Sequence, residues 1–275
     1  MALWRRLRSA VTRTRAAVDA AARAGSEAFA EQLLRTPRYT DSRKLNHYEL
    51  QMYSQNGEDG ILAEIFRRVG ATDRYFVEFG VENGLETNTT YLLHAGWRGL
   101  WVDGNAEALR SARGLFGRFV EAGALRVQHA FVTAENAAAL LHSAAVPATF
   151  DLLSVDIDRN TWHLWHALAE FRPRVVVAEY NASVPPCDDW VIEYDPARSW
   201  NGSVQYGASL KAFERLGRDR GYALVGCNLA GVNAFFVRED LVGDQFVGPF
   251  TAEAHFEPPR YWLKWRAGHL RGVES

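Results

Sequence analysis

From about residue 48 onward, short apolar runs alternate with stretches of helical periodicity, and few folds are compatible with that alternation. The pattern indicates βαβ units, so we predict an α/β protein with a mainly parallel sheet and helices on both faces. The predicted strands lie at 75–80, 99–103, 125–130, 150–156, 174–180, 222–227 and 233–237. The predicted helices lie at 88–95, 106–116, 134–143, 161–170 and 209–220. A short turn containing Gly231 joins the last two strands and allows an antiparallel hairpin.

The composition excludes several other classes of protein. Of 275 residues, 48% are apolar and 23% are charged, which is typical of a globular chain with a sizeable core. The net charge of −2 gives no general reason to expect a nucleic acid partner. Cys187 and Cys227 are too few for a disulfide framework and lack the CxxC spacing of a zinc site. No run of 18 apolar residues predicts a membrane span, and arginines interrupt the beginning of the chain, so we expect a cytoplasmic protein.

The beginning of the chain predicts a basic amphipathic helix that ends near residues 36–37. Residues 1–23 contain six arginines and one aspartate. One helical face carries Leu3, Leu7, Val11, Val18, Ala22, Phe29 and Leu33. This face could adsorb to an anionic membrane surface or pair with a partner helix, but we favour packing on its own domain or on a second copy in a homodimer. We therefore divide the chain into a helical extension (1–47), a central domain (48–240) and a C-terminal extension packed on that domain (241–275).

A glycine-containing turn follows the first predicted strand, and a ligand binds at such strand ends in open α/β sheets. The turn runs from Glu78 through Gly80 and Glu82 to Gly84, and the next strand ends in Asp103. Asp103 can accept hydrogen bonds from both hydroxyls of a ribose. Two glutamates would repel a pyrophosphate, whereas they suit a ligand with an ammonium and a sulfonium group. The residues therefore favour S-adenosylmethionine over NAD, although a GxxxG after a strand is also a common structural turn.

Several segments together resemble the FkbM-like branch of class I S-adenosylmethionine-dependent methyltransferases. The resemblance begins in the segments 53–61 (YSQNGEDGI), 76–84 (FVEFGVENG) and 96–104 (GWRGLWVDG). It continues in 151–158 (DLLSVDID), 174–181 (RVVVAEYN), 207–211 (GASLK) and 221–228 (GYALVGCN). It covers about residues 50–240, and it points to the fold and the cofactor more than to the methyl acceptor.

The resemblance implies a seven-stranded sheet with a reversed final hairpin and a set of residues around S-adenosylmethionine. It places Glu78, Gly80 and Gly84 along the methionine portion and Asp103 at the ribose. It places Ser54 and Gln55 at the carboxylate end of the cofactor. Phe131 and Val132, after the third strand, would flank the adenine.

Oxygen-bearing side chains end the fourth and fifth predicted strands. These are Asp156 and Asp158 on one strand and Glu179 and Asn181 on the other. The carboxyl ends of neighbouring parallel strands share one edge, and such ligands fit Mg²⁺. A metal there would lower the pKa of an acceptor hydroxyl, and Asp156 could accept its proton as general base. Resemblance to metal-dependent O-methyltransferases of the macrocin type implies Asp156 and Glu179 first and Asn181 next. Alternatively, Asp156 caps the following helix and Asp158 faces solvent.

The acceptor side of the site is predicted between residues 156 and 207. His163 and His166 lie on the helix after the aspartates, and His163 is the nearer candidate for a base or metal ligand, with packing as the alternative. The segment 183–207 has the composition of an acceptor loop. Four tryptophans, which suit sugar rings or ordinary packing, lie near it: Trp162, Trp165, Trp190 and Trp200. Arg159 stands where the FkbM-like branch has glycine, so the acceptor of the close relatives does not transfer directly.

Three functions are compatible with these features. The first is a Mg²⁺-assisted O-methyltransferase that acts on a hydroxyl of a sugar, oligosaccharide or polysaccharide. The second is a metal-dependent glycosyltransferase that uses Asp156-Ile157-Asp158 as a DxD motif, which would leave the Glu78–Asp103 set without a role. The third is a non-catalytic module that has kept the methyltransferase fold.

Overall fold

A computed structural model describes residues 2–198 and 200–263, and its centre is one seven-stranded sheet. The strands are β1 Tyr75–Phe79, β2 Arg98–Asp103, β3 Leu125–His129, β4 Leu152–Val155, β5 Val175–Glu179, β6 Tyr222–Cys227 and β7 Asn233–Arg238. Their order is β3-β2-β1-β4-β5-β7-β6, with the first five parallel and β7 antiparallel to both neighbours. This confirms the Rossmann-like fold and the reversed hairpin that the resemblance implied.

The helices largely follow the predicted positions. They are α1 Ala2–Leu34, α2 Glu58–Val69, α3 Thr90–His94, α4 Ala106–Leu115, α5 Gly117–Glu121, α6 Ala137–Ser143, α7 Thr161–Ala167, α8 Leu210–Asp219, α9 Glu239–Val242 and α10 Ala252–His255. Helix α6 begins three residues later than predicted because Asn136 bonds the backbone of Thr133 and closes a turn first. Helix α3 begins two residues late because the buried Glu78 carboxylate accepts hydrogen bonds from the backbone N–H groups of Asn88 and Thr89.

Two apolar layers cover the sheet, which explains why its central strands read as nearly continuous apolar runs. One layer packs Leu141 of α6, Trp165 of α7 and Phe213 of α8 against the sheet. The other packs Ile61 of α2 and Leu109 of α4 against the opposite face. Helices on both faces are therefore confirmed, and the polar carboxyl edge of the parallel strands is left for a ligand.

The described contacts between helix α1 and the rest of the protein lie near its C-terminal end. Ser26 and Ala30 are buried, and the ring of Phe29 lies 4.9 Å from that of Trp262. Trp4, Val11 and Val18, further toward the beginning, are 73%, 67% and 61% exposed. One part of the predicted apolar face thus packs on the protein and another part does not. Residues 264–275 of the predicted C-terminal extension lie outside the described residues.

Two further observations concern residues 2–198 and 200–263. Cys187 is exposed and Cys227 is buried, and both are free thiols. None of the helices described is both long and apolar enough to cross a lipid bilayer.

Candidate active site

The turn after β1 brings two strand ends into direct backbone contact. Gly80 has φ +80°, and a Cβ built on it would lie 1.6 Å from the carbonyl oxygen of Asp156. Only glycine has both the left-handed conformation and the space that this approach requires. The end of β1 and the end of β4 are therefore held side by side.

Asp103 holds the turn against the end of β2. One carboxylate oxygen accepts the N–H of Glu82 at 2.8 Å, and the other accepts the N–H of Asn105 at 2.7 Å. The side chain is half-buried, and each oxygen keeps a lone pair for another donor. This fits the predicted recognition of the two ribose hydroxyls. Glu82, at φ +48°, keeps its own side chain exposed at the same edge.

Glu78 lies beneath this edge and does not line it, contrary to the expectation from the resemblance. The side chain is 2% exposed. Its carboxylate accepts the N–H groups of Asn88 and Thr89 at 2.9 and 3.1 Å and the hydroxyl of Ser154 at 3.1 Å. Burial raises the pKa of Glu78 to about 7, although these hydrogen bonds lower it. Glu78 is therefore a positioning residue for the segment 84–90.

Gly84 and Ser54 also have structural roles that the sequence did not predict. A Cβ on Gly84, which has φ +78°, would lie 2.5 Å from the ring of Trp101, so this glycine allows the turn to pack on the core. Ser54 is fully buried, and its hydroxyl accepts the N–H of Asp59 at 3.2 Å in the first turn of α2. In this structure neither residue faces the open edge where a cofactor would bind.

Gln55, Phe131 and Val132 do lie at the surface of this edge. Gln55 is exposed beside the beginning of α2, and Val132 is half-buried. Phe131 is 61% exposed, and its ring reaches within 3.3 Å of a Cβ built on Gly104, just after β2. An exposed aromatic ring next to Asp103 is suited to stack on an adenine.

Three carboxylates, which we call the carboxylate cluster, gather at the ends of β4 and β5. Asp156, Asp158 and Glu179 each place an oxygen within 4.8 Å of the others. Burial and the neighbouring Asp158 raise the pKa of Asp156 to about 7. Burial and Asp156 raise the pKa of Glu179 well above its usual range, and its Oε2 is buried without a hydrogen-bond partner. Like charges this close need a cation or a proton, so the donor set fits Mg²⁺.

Asn181, the fourth predicted ligand, is not placed for this role. Its side chain is fully buried, and its amide nitrogen donates to the carbonyls of Val204 and Tyr206 at 2.8 and 2.9 Å. Its Oδ1 accepts the N–H of Ser183 at 3.0 Å. The carboxamide therefore holds the acceptor loop to the end of β5.

His163 is likewise committed to the acceptor loop. Its Nε2 donates to the carbonyl oxygen of Ile192 at 2.8 Å, and its ring lies 5.0 Å from that of Tyr194. It is not part of the carboxylate cluster. Of the two roles weighed for His163, the packed role is the one this structure describes, and a catalytic base is not supported.

The described part of the acceptor loop, residues 183–198 and 200–207, is hydrogen-bonded to residues that follow β4 and β5. Arg159 and Asn160 donate to the carbonyls of Glu193 and Asp195 at 3.1 and 3.0 Å. A cavity of about 470 Å³ opens beside these contacts. Its lining includes Arg159, Arg198, Trp200, Asn201, Gln205 and Tyr206. Among the four predicted tryptophans, Trp200 lines this cavity, whereas Trp165 is 2% exposed in the core.

Sequence reasoning missed two residues beside the carboxylate cluster. Glu58 is fully buried and accepts hydrogen bonds from the amides of Asn228 and Asn233, which links α2 to the hairpin. The sequence feature that could have identified Glu58 is the acidic pair in the motif YSQNGEDGI. Tyr206 donates to or accepts from the hydroxyl of Tyr261 at 3.0 Å, and burial raises the pKa of its phenol. No local pattern distinguishes Tyr206, because its neighbours come from distant segments.

Comparison with known proteins gives similarity of fold only. No protein-family model and no curated protein matches the chain. The N-terminal domain of EvdMO1 with SAH bound is 18% identical, over 70% of this chain and 82% of that chain, with a TM-score of 0.43. A putative caffeoyl-CoA O-methyltransferase from Staphylococcus aureus is 12% identical, over 65% and 81%, with a TM-score of 0.45. An O-methyltransferase from Bacillus cereus in complex with SAH is 16% identical, over 78% and 89%, with a TM-score of 0.43. With TM-scores below 0.5, these similarities decide neither a cofactor nor an activity for this chain.

Proposed function

We propose that this protein is an S-adenosylmethionine-dependent O-methyltransferase that uses a divalent metal ion, preferably Mg²⁺, to methylate a hydroxyl of a saccharide. The observation that carries the proposal is the carboxylate cluster beside the Gly80 turn. That turn binds Asp103 through the N–H of Glu82 and contacts Asp156 through Gly80. A ribose-binding carboxylate and a metal-binding set therefore share one short edge of the sheet.

The cofactor would lie along the ends of β1, β2 and β3. Bound there, S-adenosylmethionine supplies a methyl group on a positively charged sulfur. Asp103 binds the ribose hydroxyls, while Phe131 covers the adenine from its exposed position. Gln55, exposed beside α2, is placed to bind the carboxylate end. These residues fix the direction of the methyl group, and such positioning can account for much of the rate enhancement in a transfer reaction.

The acceptor would lie over the ends of β4 and β5. Asp156, Asp158 and Glu179 hold the metal ion, which when bound lowers the pKa of the acceptor hydroxyl. Asp156 accepts the hydroxyl proton at a carboxylate oxygen. Trp200 is half exposed next to the cavity, and its ring lies 6.0 Å from that of Tyr206. Two aromatic faces with polar neighbours suit the apolar face and hydroxyl edge of a sugar.

Two substitutions separate cofactor binding from transfer. We expect Asp103→Ala to weaken S-adenosylmethionine binding by roughly tenfold to a hundredfold, because hydrogen bonds to a charged group contribute about 1.5–3 kcal/mol. We expect Asp156→Ala to keep cofactor binding and lose methyl transfer. Calorimetry with and without Mg²⁺ measures the first effect, and methyl incorporation into a panel of saccharides measures the second. Glu107→Ala, an exposed carboxylate at the beginning of α4, is the control.

Three results would contradict the proposal. Loss of cofactor binding in Asp156→Ala but not in Asp103→Ala would reverse the assigned roles. Binding of a nucleoside diphosphate with Mn²⁺, without affinity for S-adenosylmethionine, would favour the glycosyltransferase. Cofactor binding without methyl transfer to any saccharide would favour a non-catalytic module.

A further inference from the structure

The cavity beneath the acceptor loop contains two arginines whose electrostatic surroundings differ. Arg198 is ion-paired with Asp195 at 3.1 Å, and its side chain is 73% exposed. Arg159 is half-buried and donates from one nitrogen to the carbonyl of Glu193. Its Nε is buried without a hydrogen-bond partner. Within residues 2–198 and 200–263, no carboxylate oxygen lies within 4.0 Å of this guanidinium.

A half-buried arginine that forms no ion pair with a carboxylate is unusual in the lining of a cavity. Burying a charge is costly unless it is paired. A guanidinium is planar and binds carboxylate or phosphate through two parallel hydrogen bonds. The Nε of Arg159, which has no partner, therefore indicates an acceptor on an anionic ligand group, whereas the guanidinium of Arg198 is already ion-paired with Asp195.

Two residues that line the cavity, Arg159 and Tyr206, lie next to the carboxylate cluster. Arg159 directly follows Asp158 in the chain, and a Cβ on Gly207 would lie 3.5 Å from the carbonyl oxygen of Asp158. Tyr206 lines the cavity, and burial raises the pKa of its phenol, with smaller contributions from the charges of Glu179 and Asp156. A ligand group bound by Arg159 would therefore lie beside the cluster.

We propose that the methyl acceptor is an acidic saccharide whose carboxylate or phosphate is bound by Arg159. The proposal rests on the proposed function and narrows its substrate class. The anionic group would lie in the cavity against the guanidinium, with the sugar ring beside Trp200 and Tyr206. The hydroxyl that accepts the methyl group would point toward Asp156. An anion placed near three carboxylates without Arg159 would be repelled, so this residue determines specificity.

Direct binding tests the substrate class without relying on turnover. Calorimetry is performed on the full chain with Mg²⁺ and saturating S-adenosylhomocysteine, which cannot donate a methyl group. The probes are glucuronate, glucose 6-phosphate and neutral glucose. We expect one or both acids to bind at least about tenfold more tightly than glucose, with the advantage falling as salt rises. Preference for glucuronate indicates a carboxylate, and preference for glucose 6-phosphate indicates a phosphate.

Three variants separate charge recognition from support of the loop. Arg159→Gln is expected to abolish the preference for acids, while Arg159→Lys keeps the charge and retains most of it. Arg198→Gln removes a cavity arginine that is already paired, and we expect it to change the preference by less than about threefold. If Arg159 only supported the acceptor loop through its hydrogen bond to Glu193, the glutamine and lysine substitutions would change the affinity for all three sugars by the same factor.

The outcomes distinguish this proposal from the proposed function. If S-adenosylhomocysteine does not bind, the methyltransferase assignment itself fails. If it binds but glucose binds as tightly as both acids, or if none of the three sugars binds, the methyltransferase stands and the acidic acceptor is overturned. An unchanged preference in Arg159→Gln would overturn the role of Arg159.

Discussion

Because Gly80 has no side chain, the ends of β1 and β4 can approach closely at the candidate site. The turn needs a left-handed backbone, and the carbonyl of Asp156 occupies the place of a Cβ. Two separate requirements, conformation and space, thus meet at one residue. Gly96 shares the first requirement, with φ +84°, but a Cβ on it would contact nothing within 4 Å.

This pair of glycines gives a matched prediction. Gly96→Ala should cost only the left-handed backbone penalty, about 1–2 kcal/mol of the free energy of unfolding. Gly80→Ala adds a clash with backbone, and we expect it to cost about 2 kcal/mol more and to weaken cofactor binding. Urea denaturation measures the first effect and calorimetry the second. Equal losses of stability in the two variants would show that the contact with Asp156 carries no energy.

The residues at the site were predictable where their position at a strand end decides their role. Asp103, Asp156 and Glu179 end or follow buried strands, so their place at the edge follows from the strands themselves. Glu78 and Asn181 also lie near strand ends, but their side chains turn toward the backbone of segments 88–89 and 204–206. Whether a polar side chain faces a ligand or a loop depends on the path of that loop, which no local pattern encodes.

At the scale of elements, the strands were more predictable than the short helices. All seven strands lie within two residues of their predicted ends. The central parallel strands were recognisable because burial on both faces makes them nearly continuous apolar runs. Helices α3 and α6 are shorter than predicted because side-chain hydrogen bonds to the preceding backbone compete with the first helical turn. Helix α1 was predicted from periodicity, but periodicity does not say what covers an apolar face.

Helix α1 gives a prediction about how much of it the fold needs. A chain beginning at Gly25 should keep its free energy of unfolding within about 0.5 kcal/mol, since Trp4, Val11 and Val18, which are described in the first part of α1, are exposed. A chain beginning at Thr36 also loses the burial of Ala30 and Phe29, and we expect it to lose on the order of 2–4 kcal/mol. Denaturation curves of the two shortened chains and the full chain give these values. Equal stability of all three would mean that α1 does not pack on the protein.

The homodimer and the contact with an anionic membrane remain predictions. Sedimentation of the full chain and of the chain beginning at Gly25 tests the first. Binding of both to vesicles with and without anionic lipid tests the second.

At the scale of the whole molecule, a buried histidine couples stability to pH. His255 is 3% exposed, and burial together with the charges of Lys44 and Arg38 lowers its pKa to about 3. The folded protein keeps this ring neutral, whereas the unfolded chain protonates it near its ordinary pKa of 6.5. The unfolded state therefore binds more protons between these values, so stability is present above pH 6.5 and falls as the pH falls toward 3.

Replacing this histidine isolates its contribution. Between pH 8 and pH 5, wild type should lose about 2 kcal/mol more of its free energy of unfolding than His255→Phe. Phenylalanine keeps a ring beside Phe250, which stacks on His255, and removes the titration. Parallel slopes for the two proteins over this range would show that His255 is protonated in the folded state as well.

Glu257 and Tyr261 lie late in the chain and contact residues near the candidate site. These contacts can therefore form only after the sheet has been synthesised. The Glu257 carboxylate accepts the hydroxyl of Tyr39 at 2.8 Å, and its backbone carbonyl accepts that of Tyr180, which follows Glu179. Tyr261 reaches Tyr206 in the same region. All seven strands are synthesised before Glu257 and Tyr261. A polypeptide released before residue 257 would have all seven strands but lack the contacts of Glu257 and Tyr261, so under the proposed function premature termination is expected to yield a protein that binds the cofactor but does not position its acceptor.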